Sequence, residues 1–201
     1  MSSGTGSQTE GEKGLAAPVL LRAWRPMLPE GELRAIVLHW TAGDYDTVYP
    51  AYHFCIAGAA EPVVHHTHDL RENMRDVRTD PSLPYAAHTR GRNSFAAGIG
   101  IAAMRDATPG DFGRFPLTAP QVEAACVVAA ALVRRYGIAI DAVRTHAEAA
   151  LEDGYFGAGS DDVRWDIARV QPSASVLRPA EAGETGAVFR SRIADLLRAG
   201  P

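Results

Sequence analysis

The sequence predicts an α/β domain built on a single central mixed β-sheet flanked by helices. Three observations carry that expectation. Short apolar runs recur at 33–40, 51–58 and 96–104, bounded by Gly, Pro or Asp turn signals. A long apolar segment at 118–137 has helix-capping residues at both ends. The chain closes on an amphipathic stretch, AVFRSRIADLLRAG. Strands and helices in this order read as a mixed α/β domain in three layers.

Each element has its own local reason. LRAIVLHW (33–40) is a continuous apolar run of strand length, suited to the centre of a sheet. After the turn through Gly43 and Asp44, AYHFCIAG (51–58) reads as a second strand, and EPVVHH (61–66) as its hairpin partner across the small residues GAA. Residues 67–95 are polar and loop-rich. AAGIGIAAM (96–104) predicts a third core strand, and its glycines predict close approach to the backbone.

In LTAPQVEAACVVAAALVRRYG, Thr118 and Gln121 form a capping box and Pro120 falls in the first turn, where its missing N–H does no harm. Arg134 and Arg135 complement the C-terminal dipole and Gly137 stops the helix. IAIDAVRTHAEAA then reads as a short strand leading into a loop. AVFRSRIADLLRAG predicts a closing amphipathic helix that packs on the domain.

Composition narrows the class. The 201 residues are 46% hydrophobic and 22% charged, which fits one globular domain plus tails. Residues 1–14, rich in Gly and Ser, are expected to form a disordered tail, with 15–201 as the folded domain. A net charge of -4 and a pI near 6.0 give no electrostatic case for nucleic acid or an anionic membrane. No window reaches the roughly 18 apolar residues of a membrane span. Cys55 and Cys126 lie in apolar contexts and read as buried free thiols rather than a disulfide. The apolar patch GLAAPVLL is short and is not followed by a clear cleavage signal, so no secretory signal peptide is expected.

The chemistry lies with the histidines, of which there are 7. Neutral imidazole is the commonest zinc ligand, and a catalytic zinc takes three protein ligands plus water. No HExxH or CxxC pair is present, so a site would have to be assembled from distant segments. His39 ends the first predicted strand and His146 another, and strand ends along one sheet edge are where open α/β folds gather ligands. Asp166, in VRWDIARV, is a candidate third ligand. On these residues alone, a core role is the favoured reading of each histidine. The triple-histidine segment VVHHTHDLREN reads as a loop or cleft wall rather than a second metal site, because neighbouring strand residues point to opposite faces.

A family resemblance brings these segments together. IVLHWTAG, AYHFCIAG, AAHTRGRN followed by AAGIGIAAM, LTAPQVEAACVVAAALVRRYGI, VRTHAEAA and VRWDIARV resemble, in order, the segments of the zinc-dependent N-acetylmuramoyl-L-alanine amidases. This is the type 2 amidase and peptidoglycan recognition protein superfamily, and the likeness is to its phage-lysin or autolysin branch. It covers roughly residues 33–170 and implies that superfamily's α/β fold. It also implies one catalytic Zn2+ held by His39, His146 and Asp166, the last two separated by 20 positions (166 − 146) with a loop between them.

By the same resemblance Tyr52 and Arg164 are the catalytic candidates, and His88 and Asn93 the candidates for contact with glycan or peptide. Tyr52 is equally a core aromatic, and strand alternation predicts that His53 faces away from it. Arg164 stands where many members carry lysine; it keeps the positive charge but does not readily give up a proton. Ala102 stands where recycling-type members carry a glutamate. Glu148 is either an outer partner orienting a ligand histidine or an exposed residue at a helix start.

The activity implied is zinc-dependent hydrolysis of the amide between the lactyl group and L-alanine in peptidoglycan or a muropeptide. Water on such a zinc has its pKa lowered from about 15.7 toward about 7. The alternatives are a non-catalytic peptidoglycan-binding protein and a zinc peptidase acting on stem peptides. The chain is expected to be cytoplasmic in the producing cell, and to act on the wall after release or export by another route.

Overall fold

In the computed structural model, which describes residues 28–157 and 164–200, five strands form one sheet. They are β1 (Ala35–Trp40), β2 (Phe54–Ala57), β3 (Val63–His66), β4 (Ala96–Ile101) and β5 (Val143–Thr145). The spatial order is β3-β2-β4-β1-β5. β2, β4, β1 and β5 run parallel to one another, and β3 returns antiparallel to β2 along the edge. The mixed sheet and its hairpin match the expectation from the sequence. The tail expected at 1–14 lies outside the described residues.

Period-two alternation gives this sheet two different faces. Ile36, Leu38 and Trp40 of β1, Phe54 and Ile56 of β2, and Ala97, Ile99 and Ile101 of β4 join the main core. On this face lie α1 (Ala119–Tyr136) and α3 (Ala180–Arg198), which also pack on each other. They contribute Val128, Leu132, Phe189 and Ile193. Removing each such Leu, Ile or Phe side chain from water stabilises the fold by about 1.5–3 kcal/mol.

The opposite face presents His39 of β1 beside Gly98 and Gly100 of β4, with Val37 paired to Gly98 and His39 paired to Gly100. Connecting segments cover it at both glycines. A Cβ at Gly100 would overlap the Tyr52 ring, and one at Gly98 would overlap the ring of His88. The close approach expected at these glycines is therefore by two side chains from loops, and those loops supply the third layer.

The caps of α1 form as expected. Thr118 and Gln121 make the reciprocal capping box, and Gly137 closes the helix in the left-handed conformation with φ 65°. Gln121 is buried and also donates from Nε2 to the Ala102 carbonyl at 2.9 Å. Cys55 and Cys126 are buried free thiols.

Two elements differ from the expectation. Residues read as a loop after β5 form helix α2 (His146–Glu152). Thr145 accepts from the Glu148 N–H while the Glu148 side chain accepts from the Thr145 N–H, so THAE is itself a capping box. That signal was present in the sequence. α3 begins at Ala180, earlier than the apolar periodicity suggests. Gly186 lies within it because the Glu148 carboxylate fills the space a Cβ there would need.

Candidate metal centre

β1 and β5 run parallel, so their C-terminal ends reach the same sheet edge. His39 sits near the end of β1, and His146 follows β5 as the first residue of α2. β5 stops at Thr145, opposite Leu38, which leaves the Trp40 N–H without a partner from that strand. Asp166 takes it: its Oδ1 accepts from the Trp40 N–H at 2.8 Å. The Asp166 carbonyl in turn accepts from the Ala147 N–H, tying this segment to the first turn of α2.

With Oδ1 held, Asp166 Oδ2 faces both imidazoles, lying 3.1 Å from His39 Nδ1 and 3.2 Å from His146 Nδ1. The two rings stand 4.9 Å apart between centroids. One ligand atom from each of the three residues lies within 4.8 Å of the others, and no other trio of His, Cys, Asp or Glu among the described residues converges in this way.

The donor set fits zinc. Two ligands about 2.0–2.1 Å from a tetrahedral zinc stand about 3.3 Å apart, close to both Nδ1–Oδ2 separations. Burial lowers the His39 pKa even though the Asp166 carboxylate pulls it upward, so the ring is neutral and can offer a lone pair. Burial would raise Asp166, but hydrogen bonds to His146 and His39 outweigh it and keep the carboxylate ionised.

Tyr52 is partly covered, with its ring 5.1 Å from that of His39. Burial, reinforced by the Asp166 charge, pushes its phenol pKa far above the ordinary range. Arg164 is exposed, and its charge acts on Tyr155, whose ring lies 5.9 Å from that of His146.

His88 is only 8% exposed and lies behind His39, ring against ring at 5.5 Å. Its Nδ1 is 2.8 Å from Thr89 Oγ1. Asn93 Oδ1 accepts from the Thr89 N–H at 2.9 Å, and its carbonyl accepts from Asn73 Nδ2 at 2.8 Å. Asn93 thus uses these groups inside the protein, whereas His88 Nε2 is buried without a hydrogen-bond partner. Position 102 carries no carboxylate to the site; Ala102 is buried in a small cluster with Cys55 and Ala57.

Two readings are corrected and one residue is added. Glu148 neither orients a ligand histidine nor lies exposed at a helix start: it is buried, caps Thr145, and pairs with Arg190 at 2.9 Å. His53 does not point away from the Tyr52 side, because β2 begins only at Phe54 and alternation does not reach it. Its Nδ1 accepts from the Gly98 N–H at 3.0 Å, and its ring lies 5.7 Å from that of His88. Thr89, absent from the sequence reading, is buried and touches both His39 and His88. Nothing in its local sequence marks it; only its place next to His88 draws attention to it.

Residues 29–162 match the family described as N-acetylmuramoyl-L-alanine amidase. The chain belongs to that family. The match takes in His39 and His146 and stops four residues short of Asp166 (166 − 162), which the fold brings alongside them. No curated protein matches this chain. Among solved structures it is similar to the N-acetylmuramyl-L-alanine amidase AmiD from E. coli, in complex with the substrate anhydro-N-acetylmuramic acid-L-Ala-D-gamma-Glu-L-Lys. The identity is 19% and the TM-score 0.43, over 58% of this chain and 49% of that one, so the chain spans about half the length of that relative. Among the described residues no helix is long and apolar enough to cross a membrane.

Proposed function

We propose that this amidase is a zinc enzyme that cleaves the amide between the lactyl group of N-acetylmuramic acid and the L-alanine of the stem peptide. In this reading it is a wall-lytic enzyme of the phage-lysin or autolysin kind, acting on the wall after release or export from the cytoplasm. The observation that supports it is the convergence of His39 Nδ1, His146 Nδ1 and Asp166 Oδ2 at the strand ends.

These three atoms would hold the zinc, and a bound zinc supplies Lewis acidity toward water and the amide carbonyl. The protein's own groups do the rest. Asp166 is aimed by the Trp40 N–H, so its free oxygen stays fixed toward the two imidazoles. Tyr52 keeps its proton at neutral pH and therefore acts as a hydrogen-bond donor, suited to the oxyanion that develops on the scissile carbonyl. Arg164 adds positive charge at the rim and, being permanently protonated, acts electrostatically rather than as a base. The products are the sugar chain and a free stem peptide.

The test is a zinc determination on the purified protein together with release of new N-terminal alanine from peptidoglycan, repeated for His39→Ala and Asp166→Ala. One equivalent of zinc, with both zinc and alanine release lost in the variants, is the expected result. Cleavage that persists in zinc-free protein sinks the zinc reading. Products whose masses show a broken peptide bond in place of the lactyl–alanine amide sink the assigned bond.

A further inference from the structure

We propose that Thr89 is a positioning residue for the metal ligand His39, acting through a hydrogen-bond chain with one direction, from His39 through Thr89 to His88. This rests on the zinc reading above. Thr89 is 2% exposed and lies between two imidazoles. Its Oγ1 is 3.2 Å from His39 Nε2 on one side and 2.8 Å from His88 Nδ1 on the other.

The direction follows from counting protons. His39 turns Nδ1 toward Asp166 and His146, so Nδ1 must offer its lone pair to the metal. The proton of the neutral ring then sits on Nε2, and Nε2–H donates to Thr89 Oγ1. A hydroxyl has one proton to give, and the remaining acceptor at that oxygen is His88 Nδ1. Thr89 therefore donates to His88, which is held as its Nε2–H tautomer.

The arrangement is built, because Thr89 and the loop that carries it are fixed from outside. The Thr89 N–H is held by Asn93 Oδ1 at 2.9 Å. Buried Asn73 pins the same loop through the Ala86 N–H at 2.8 Å, the Ala86 carbonyl at 3.0 Å and the Asn93 carbonyl at 2.8 Å. His88 fits over β4 only because residue 98 is glycine. A histidine that binds metal through one nitrogen needs an acceptor at the other to hold its tautomer and ring angle, and losing such an acceptor typically costs 10- to 100-fold in metal affinity.

The test uses the full chain with Thr89→Val and Thr89→Ser. Zinc affinity is read by chelator competition, cobalt-loaded protein by its d–d absorption, and apo-protein stability by thermal unfolding. The expected result is about 10- to 100-fold weaker zinc binding and a shifted cobalt spectrum for Val, near-native values for Ser, and little change in the apo melting temperature. Val binding zinc as tightly as wild type overturns the inference and leaves the zinc site standing. Equal losses in Val and Ser also overturn it, since shape rather than the hydroxyl would then matter. Wild type that binds no zinc overturns the zinc reading itself, and the inference with it.

A measurement on zinc-loaded wild type needs no variant. Imidazole nitrogen NMR should show His39 protonated at Nε2 and His88 protonated at Nε2 with Nδ1 accepting. His88 protonated at Nδ1 overturns the chain.

Discussion

Trp40 and Asp166 are 126 positions apart, yet the Trp40 N–H donates to Asp166 Oδ1 at 2.8 Å. One backbone group at the end of a central strand thus sets the rotation of the carboxylate and turns its other oxygen toward His39 and His146. The bond exists because β5 is three residues long and ends before Trp40.

Asp166→Asn separates holding from ligating. The amide oxygen can still accept from Trp40, so the fold should survive with an apo melting temperature near wild type. The amide nitrogen would replace the oxygen that faces the imidazoles. Zinc affinity should fall beyond the 10- to 100-fold expected for a lost outer partner. Chelator competition with parallel thermal unfolding reads both quantities.

Gly100→Ala tests the seat of Tyr52. The added Cβ would overlap the Tyr52 ring, so either ring or strand must shift. Overpacking of this kind costs about 1–3 kcal/mol, and amidase turnover should fall as Tyr52 leaves its place beside His39. Urea unfolding gives the first number and alanine release the second. A stable variant with native turnover would show that the Tyr52 position is unimportant.

Glu148→Ala removes the capping partner of Thr145 and strands Arg190 on α3. Capping alone is worth about 0.5–2 kcal/mol, and loss of a largely buried partner adds to it, giving about 2–4 kcal/mol in all. Because α2 starts with His146, zinc affinity should weaken as well. Denaturant titration and chelator competition together report whether helix and ligand move as one.

The pH dependence of stability should carry the mark of His53. Burial, first among the causes, lowers its pKa from 6.5 to about 3, and Nδ1 is committed to the Gly98 N–H. The folded ring stays neutral while the unfolded ring takes up a proton near pH 6.5. The stabilisation is therefore complete above 6.5 and is lost as pH falls toward about 3, at no more than about 1.4 kcal/mol per pH unit. His53→Asn keeps an acceptor near Gly98 without a titrating group, so its urea midpoint should fall less steeply across that window. Parallel curves for wild type and variant would refute this role.

Much of the architecture was legible because it depends on local chemistry. Thr118 with Gln121, and Gly137, mark the ends of α1 through capping geometry confined to a few residues. Apolar runs of strand length located β1, β2 and β4 to within a few residues. The THAE capping box shows the limit of that reading: with seven residues, α2 is too short for apolar periodicity, although its cap was visible. Glu148 looked like a surface residue because Arg190 and Gly186, which bury it, lie about 40 positions away.

The sequence by itself determined that an α/β sheet forms, that His39 and His146 sit near strand ends, and, through family resemblance, that Asp166 belongs with them. Tertiary structure alone decided which oxygen of Asp166 faces the imidazoles, that Gly98 and Gly100 seat His88 and Tyr52, and that Thr89 stands behind His39. The physical reason is distance along the chain. Periodicity and caps are set by neighbours within a turn or two, whereas the orientation of a ligand is set by hydrogen bonds between segments that only the closed sheet brings within reach.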